Sequence, residues 1–434
     1  MRASGLPARA GWRDSWRAVR RVLLPLVARG IILRRPRQGA AAARWQDDLR
    51  SAATLTALRG TYGQDPLPLR LPGRRVALVL DPLDVASILA ASPEPFDPAT
   101  REKRAALRHF EPHGVLISPR AERPARRSFN EAALQTGRRT HDLAGEARAA
   151  VRASRDDVLL GGALELDWDA FSTASWRAVR TLMFGPEARD DTRVTDALRE
   201  LRADANWAFL HPRRHAARLR FEAELAAAVE RADTRSLAAH ARTAGRTHGV
   251  DPTGQVPQWL FAFDAVVIAA YRALALVGSV PSVRDRVVGE SSDGDPADLP
   301  TARAAVLESV RLWPTTLAIL RDGTRPTSWR SRTLPRGTAY VIVSAFFHRD
   351  PATLDDADRF APEIWTDGTA DAHPGIVPFS AGPVACPGRT VAVMVAAELV
   401  AAWAPFLEPI RPPGSEALPR TLDHTSLQFG MRAP

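Results

Sequence analysis

One segment of this 434-residue chain, residues 256 to 280, is apolar on nearly every side. Its large apolar side chains are Trp259, Leu260, Phe261, Phe263, Val266, Val267, Ile268, Tyr271, Leu274, Leu276 and Val277. A helix with an apolar surface all round must be enclosed by other elements. The chain from about 120 to 290 is rich in alanine and arginine and is also expected to be helical. The sequence therefore predicts a mainly α-helical protein built around a buried helix at 256–280.

The remaining pattern adds small β-sheets and further helices. Short extended runs at Leu67 to Leu71 and Val76 to Leu80 predict a hairpin, and Asp81-Pro82 predicts a helix start after it. Further helices are expected after Pro281, from Pro300 to Trp313, and over 389–405. The pattern also predicts a loop at 291–295, an extended segment from Gly337 to Phe347, and an irregular stretch at 348–378. An irregular stretch of that length usually has a function.

Composition places the chain among soluble globular proteins, with 45% hydrophobic and 25% charged residues. The 59 basic residues exceed the 49 acidic ones, and Lys103 is the only lysine, so the excess charge is carried by arginine. A solvated arginine-rich surface explains this balance, and a basic face for an acidic partner protein is the alternative. No nucleic-acid-binding signature accompanies the charge, so nucleic acid is not expected as a partner.

The N-terminal residues 1–40 form a basic segment with short apolar runs at Val22 to Val27 and Ile31 to Leu33. Pro25 and Arg29 interrupt these runs, which are too short to cross a bilayer. The segment is expected either to pack as an ordinary helix or to contact a membrane surface weakly as an amphipathic helix. We therefore expect a cytoplasmic protein without a transmembrane anchor, in which residues 41–434 form a single catalytic domain.

Cys386 is the only cysteine, so neither an intramolecular disulfide nor a multi-cysteine metal site can form. It lies in a glycine-containing loop immediately before the apolar helix expected at 389–405. Backbone N–H groups and the helix dipole at such a position stabilise a thiolate. A haem iron uses this kind of ligand, because thiolate electron density favours O–O cleavage.

The spacing of Phe379, Gly382, Cys386 and Gly388 matches F-x-x-G-x-x-x-C-x-G and resembles the cysteine loop of the cytochrome P-450 family. Glu308-Ser309-Val310-Arg311 resembles the family's E-x-x-R helix. Residues His348 to Pro351 and Phe360 to Glu363 resemble its segments before the cysteine loop.

This resemblance implies the cytochrome P-450 fold, with haem (heme b, iron protoporphyrin IX) between the long apolar helix and the cysteine loop. Cys386 would ligate the iron, and Phe379, Gly382 and Gly388 would shape its loop. Arg321, Arg127 and Arg123 would face the haem propionates, whose carboxylates suit the guanidinium fork. Glu308 and Arg311 would form a structural pair.

Within the long helix, residues 261–266 align with the family's dioxygen-binding segment. Asp264 keeps the family's acid, whereas Ala265 replaces the threonine whose hydroxyl serves a proton relay. Both are candidate catalytic positions. Val384 and Ile364 replace basic residues that the family usually has, and Phe96, Phe261 and Phe263 are expected to line an apolar substrate pocket.

The resemblance implies a soluble, bacterial-type haem-thiolate monooxygenase of secondary metabolism. It would insert one oxygen atom from O2 into a small organic substrate, with electrons from a ferredoxin and a ferredoxin reductase. Because Ala265 cannot relay a proton, a peroxide-dependent or non-oxygenating haem-thiolate enzyme is the alternative. A haem-binding sensor is a third hypothesis.

Overall fold

The computed structural model describes residues 9–293, 299–410 and 418–432. It is mainly helical with small sheets, as the sequence predicts. The α-helices are α1 (Trp12–Ala18), α2 (Leu24–Ala28), α3 (Pro36–Trp45), α4 (Asp47–Tyr62), α5 (Pro82–Ala90), α6 (Arg101–Leu107), α7 (Arg123–Ala133), α8 (Ala144–Leu160), α9 (Trp168–Phe184), α10 (Arg193–Ala205), α11 (His215–Arg231), α12 (Leu237–His248), α13 (Val256–Ser279), α14 (Pro281–Asp293), α15 (Pro300–Leu312), α16 (Ser344–His348), α17 (Thr369–Ala372) and α18 (Arg389–Trp403). The strands are β1 (Leu67–Pro68), β2 (Val76–Leu78), β3 (Phe96–Asp97), β4 (Glu165–Asp167), β5 (Ala318–Gly323), β6 (Thr327–Ser328), β7 (Thr333–Leu334), β8 (Ala339–Val343) and β9 (Gln428–Gly430).

The chain divides into two compact units. Unit 1 comprises Met1–Arg104, Arg311–Cys386 and Ala417–Asp423, and unit 2 comprises Ala105–Val310, Pro387–Glu416 and His424–Pro434.

Unit 1 contains a five-stranded sheet in the order β1-β2-β8-β5-β3. The predicted hairpin is confirmed, since β1 pairs antiparallel with β2. β2 then pairs in parallel with β8, which is buried along its whole length. The predicted helix start is confirmed too, because the Asp81 carboxylate accepts the N–H of Leu83 (3.0 Å) and caps α5.

Unit 2 is built around α13, whose position and burial confirm the prediction for 256–280. α13 packs against α18, α14 and α9. Its Tyr271 hydroxyl lies 2.7 Å from the Leu427 carbonyl and 3.1 Å from that of Leu166. Burial raises the pKa of this phenol.

Two secondary-structure predictions are partly wrong. The extended segment ends at Val343, and the following five residues form α16. The apolar run of both elements has no period that separates strand from helix. The sequence predicts a loop from residue 291, whereas α14 continues to Asp293. The Ser292 hydroxyl donates to the Val288 carbonyl (3.0 Å), so this polar side chain has a hydrogen-bond partner within the helix. Residues 294 and 295 lie outside the described residues.

Among the described residues, two helical segments are long and apolar enough to cross a membrane by length and composition, Val256–Ser279 and Arg389–Phe406. Within the protein, 72% and 78% of their most apolar windows are buried. Core helices of globular proteins have the same character.

Candidate functional site

The loop that carries Cys386 forms a closed turn in unit 1. The N–H of Cys386 donates to the Phe379 carbonyl (2.9 Å), and the N–H of Ala385 donates to that of Gly382 (3.0 Å). Cys386 is half-buried and is not part of a disulfide. α18 begins three residues later, with Gly388 at its N-cap. The thiol is thus fixed just before a helix N-terminus, where backbone dipoles favour a thiolate.

Gly382 packs directly on the backbone at the end of α5. Its φ is +68°, which disfavours other residues, and a Cβ there would overlap the Leu89 carbonyl and lie 3.0 Å from the Ala90 Cα. Only glycine allows this approach, so the glycine that the sequence singles out has a steric cause.

Arg321, on β5, is buried against the same loop. Its Nε donates to the Ser92 hydroxyl, its Nη2 to the Ser380 hydroxyl, and its Nη1 to the Leu320 carbonyl, each at 3.0 Å. Ser380 has a left-handed backbone with φ +60°, rare for a serine. The structure therefore brings Arg321 and the cysteine loop together, as the sequence predicts, and it adds Ser92 and Ser380.

The irregular stretch before the cysteine loop is held by buried arginines. Arg311 donates from Nη1 to the carbonyls of His348 and Ala357 (both 3.0 Å) and from Nη2 to those of Asp356 (3.1 Å) and Arg359 (2.9 Å). The first of these carbonyls ends α16, and the other three belong to a segment without regular structure. One guanidinium therefore supplies hydrogen bonds that backbone pairing does not provide there.

His348 links that stretch to the chain leading into the cysteine loop, because its Nε2 accepts the N–H of Val377 (3.1 Å). Arg349 is fully buried, with its Nε 2.9 Å from Asp358, and burial lowers the pKa of Arg349 to about 10. The segment His348 to Pro351 that the sequence singles out contains both residues, but nothing in the sequence pattern identifies Asp358 as the partner of Arg349.

The chemistry of this loop suits a thiolate-ligated haem. Cys386 is a sulfur donor at the end of a turn, Gly382 keeps the turn close to α5, and Arg321 places a buried cation beside it. A buried guanidinium is suited to a carboxylate such as a propionate. The residues present therefore fit the cofactor that the family implies.

In unit 2, α13 has one accessible strip formed by Gln258, Phe261, Ala262 and Ala265. Their spacing places them on one face of an otherwise buried helix. Small side chains at 262 and 265 leave room beside that face. Phe263 lies on the opposite side of α13, is only 3% exposed and belongs to the buried core. Its place in the substrate pocket stays a prediction.

The place of Phe96 in the substrate pocket likewise stays a prediction. Phe96 lies in β3 of unit 1 and packs edge-on against Tyr340 at 5.2 Å between ring centroids. Trp329 lies 6.1 Å away on the same core cluster. Core packing accounts for this ring.

Asp264 forms an ion pair with Arg202 of α10. The Arg202 guanidinium also lies over the Phe261 ring, 4.8 Å from its centroid. A cleft of about 180 Å³ opens at this pair and is lined by hydroxyl side chains of α9 and α10, among them Ser172, Thr173 and Thr195. Nothing in the sequence pattern identifies Arg202 as the partner of Asp264.

Glu111 is a second buried acid near the start of α13. With the Gln258 amide nitrogen turned toward it, that nitrogen donates to both carboxyl oxygens, at 2.7 and 2.9 Å. Burial raises the pKa of Glu111 well above its usual range, and the positive charge of Arg202 opposes the shift. The acid therefore favours its neutral form, which sequence reasoning does not reveal.

The other predicted residues are arginines at α7 and the predicted structural pair on α15. Arg127, on α7, pairs with Glu131 one turn on (2.6 Å), and Arg123 lies 3.5 Å from the Ser118 carbonyl. Glu308 and Arg311 are both fully buried on α15, one turn apart.

The family model of cytochrome P450 matches residues 284–402, a range that includes the E-x-x-R helix and the cysteine loop. The family model, the curated relatives and the solved structures together support a cytochrome P450. The curated relatives match over part of the chain. A cyclooctat-9-en-7-ol 5-monooxygenase of Streptomyces melanosporofaciens is 33% identical over 137 residues, which is 29% of this chain and 30% of the relative.

Other relatives of this P450 come from distant organisms. The cytochrome P450 monooxygenase alnH of Emericella nidulans is 33% identical over 118 residues, covering 25% of this chain and 21% of its own length. The chain thus spans less than a third of the length of both relatives.

Solved P450 structures match over most of the chain. The retinoic acid-bound cyanobacterial CYP120A1 superposes with a TM-score of 0.68 at 17% identity, over 87% of this chain and 93% of the other. A zebra fish cytochrome P450 with abiraterone gives 0.64 at 16% identity, over 82% and 91%. These likenesses establish the P450 fold, and the family implies a haem cofactor.

Proposed function

We propose that this P450 is a haem-thiolate monooxygenase of the soluble bacterial type. It inserts one oxygen atom from O2 into a small organic substrate, in secondary metabolism and in the cytoplasm. Cys386 is its iron ligand, and the cofactor is heme b. The observation that carries the proposal is the turn that holds Cys386, closed by its own N–H, packed on α5 through Gly382 and backed by the buried Arg321.

A haem held at Cys386 supplies the iron at which dioxygen is activated for transfer of one oxygen atom. The protein's contribution is to position the thiolate and to neutralise the propionates. Arg321 serves the second role, joined by Arg127 and Arg123. Arg127 pairs with the Glu131 carboxylate on its own helix, and binding of a propionate would replace that pair.

Proton supply to the reaction falls to Asp264. Ala265 has no hydroxyl, so it can neither accept nor donate a proton. The hydroxyl-lined cleft brings solvent to the Asp264 carboxylate and to its partner Arg202. Phe261 and the accessible strip of α13 define the apolar wall of the substrate pocket.

Two electrons come from a ferredoxin and its reductase. The chain is rich in arginine, and Arg389 is exposed at the start of α18, three residues after Cys386. An acidic ferredoxin is the partner that such a surface favours. Residues 41–434 act as one catalytic domain preceded by the basic segment 1–40.

The first test is an absorption spectrum of the purified protein, reduced with dithionite and exposed to carbon monoxide. We expect a Soret band shifted far to the red, lost in Cys386→Ala and kept in Val384→Ala, a matched loop variant that leaves the sulfur in place. A spectrum that Cys386→Ala does not change would refute thiolate ligation.

Ala265 favours a second candidate function, a peroxide-dependent or non-oxygenating haem-thiolate enzyme. Peroxide delivers both oxygen atoms and their protons, so a relay hydroxyl is dispensable. Product formation with reduced ferredoxin and O2 would support the monooxygenase. Product formation with hydrogen peroxide alone, unchanged in Asp264→Asn, would support the alternative.

A further inference from the structure

The first helical run of the chain is firmly docked in unit 1. α1 and α2 are joined by a π-helical turn, Val19–Leu23, so the run extends from Trp12 to Ala28. The Tyr62 hydroxyl donates to Asp14 (2.7 Å), and the Ser15 hydroxyl accepts the N–H of Arg70 (2.9 Å). The inner face is buried and consists of Ser15, Ala18, Val22 and Leu26. The opposite face is therefore a fixed part of the folded surface.

That outer face exposes large apolar side chains. Trp12 is 70% exposed and Trp16 is 64% exposed, and Leu24, Val27 and Ile31 are each more than half exposed. Within the described residues, 14 large apolar side chains are exposed, and seven of them lie between residues 12 and 49. Clustered apolar exposure of this kind marks an interaction surface.

The π-helical turn aligns these side chains. Pro25 has no N–H, and the N–H of Leu24 bonds the Val19 carbonyl five residues back. An extra residue in one turn rotates all later side chains back by about 100°. Without it, Leu24 would lie about 120° round the axis from Trp12. With it, Leu24 and Val27 continue the line of Trp12 and Trp16.

Arginines flank this apolar line. Arg13, Arg17 and Arg21 are exposed and follow each other at four-residue spacing, so they form a second line beside the first. Residues 9–50 contain eleven arginines against three acids, a net charge of +8 in a chain whose total is +10. Residues 9–50, which include the exposed tryptophans, thus carry most of the protein's excess charge.

We propose that this N-terminal face binds an anionic lipid surface, with the helical run lying in the plane of the membrane. The face comprises Trp12, Arg13, Trp16, Arg17, Arg20, Arg21, Leu24, Val27 and Ile31. Its tryptophans enter the headgroup region, which indole rings prefer, and its arginines pair with anionic headgroups.

The shape of the face favours lipid over an acidic protein. The face is one convex helical run about 25 Å long, calculated from 17 residues. A protein partner would have to supply a matching apolar groove, whereas lipid adapts to a convex rod. The association is peripheral, because the run is too short and too basic to span the bilayer.

Vesicle co-sedimentation of the full-length protein tests the proposal. We expect binding to vesicles of phosphatidylcholine with 30% phosphatidylserine, weakened by salt, and little binding to pure phosphatidylcholine. Tryptophan emission should shift to the blue on binding and be quenched by brominated lipids. The variant Trp12→Ser/Trp16→Ser should lose this signal and bind at least about tenfold more weakly.

Charge is tested separately with Arg13→Gln/Arg20→Gln/Arg21→Gln. We expect at least about tenfold weaker binding to the anionic vesicles. The matched control Arg325→Gln/Arg336→Gln/Arg359→Gln removes the same charge from three other exposed arginines and should bind like the wild type. Thermal melts of all variants should coincide, because every substituted side chain is exposed.

Absence of binding to the anionic vesicles at low salt would overturn the proposal, as would equal loss in the control. If vesicles do not bind but the triple variant weakens binding of an acidic ferredoxin, the face is a protein docking site and the lipid proposal is wrong. The readouts do not depend on haem, so they stand apart from the test of Cys386.

Discussion

Three residues determine the conformation of the loop before Cys386. Gly382 allows the loop to touch the backbone of α5, Ser380 takes a left-handed conformation, and Arg321 binds the Ser380 hydroxyl. The strain at Ser380 is maintained because a buried cation holds its side chain. The position of the sulfur thus depends on residues far from it in the chain, on β5 and at the end of α5.

Gly382→Ala should destabilise the protein and weaken haem retention. The new Cβ meets both a left-handed φ and the Leu89 carbonyl. Gly73→Ala is the matched control, since Gly73 has φ +70° and open space around a Cβ. We expect Gly382→Ala to cost about 2 kcal/mol more than Gly73→Ala in urea unfolding. Equal costs would show that the contact with α5 is unimportant.

Glu111→Gln should change how stability depends on pH. The pKa of Glu111 is raised in the fold, so its stabilising contribution is complete below the unfolded pKa and is lost as pH rises toward the folded pKa. Chemical unfolding between pH 5 and pH 8 should show a smaller decline in the variant, and higher stability than the wild type at pH 8. Exposed Glu187→Gln should keep the wild-type slope. A variant with an unchanged slope would contradict a neutral Glu111.

At the scale of elements, α13 provides an accessible strip in unit 2, and α15 positions Arg311. α13 crosses the core of unit 2 and presents one accessible strip with small residues at 262 and 265. α15 ends at Leu312, so the side chain of Arg311 reaches the irregular residues that follow α16. The last turn of α15 thus supplies hydrogen bonds to a segment that has no regular backbone pairing of its own.

Arg311→Lys should therefore disrupt the protein despite keeping the charge. An ammonium has three donors on a point charge and cannot reproduce the planar fork that reaches four carbonyls. We expect a loss of at least about 3 kcal/mol and poor haem incorporation, measured by denaturation and by the ratio of haem to protein. Arg303→Lys on the same helix, where the guanidinium donates to the Arg139 carbonyl, should cost under about 1 kcal/mol.

At the scale of the whole molecule, cofactor and fold are thermodynamically linked. A ligand that binds only the folded state adds stability that grows with its free concentration. Haem at a hundredfold excess over its Kd should add about 2.7 kcal/mol. Removal of haem should lower the unfolding midpoint of the wild type, and Cys386→Ala should show a smaller difference between loaded and haem-free protein. An equal difference in both proteins would argue against Cys386 as ligand.

Much of the architecture could be predicted from local patterns. The apolar segment 256–280, the hairpin and the Asp81 cap each follow from periodicity or from turn chemistry over a few residues. The boundary between β8 and α16 could not be predicted this way, because a continuous apolar run suits both structures. Residue type predicts pocket positions for Phe96 and Phe263, but core packing uses the same residue types, and both rings are buried.

The sequence by itself determined the family resemblance, the single thiol in its glycine-containing loop, the buried central helix and the replacement of threonine by Ala265. These depend on residue identity and on spacing within one element. Only the tertiary structure decided that Arg202 pairs with Asp264, that Arg311 binds four carbonyls, and that Glu111 is buried. Such pairings join residues far apart in the chain, and the energy of a charge depends on its burial and partners, which spacing along the sequence does not specify.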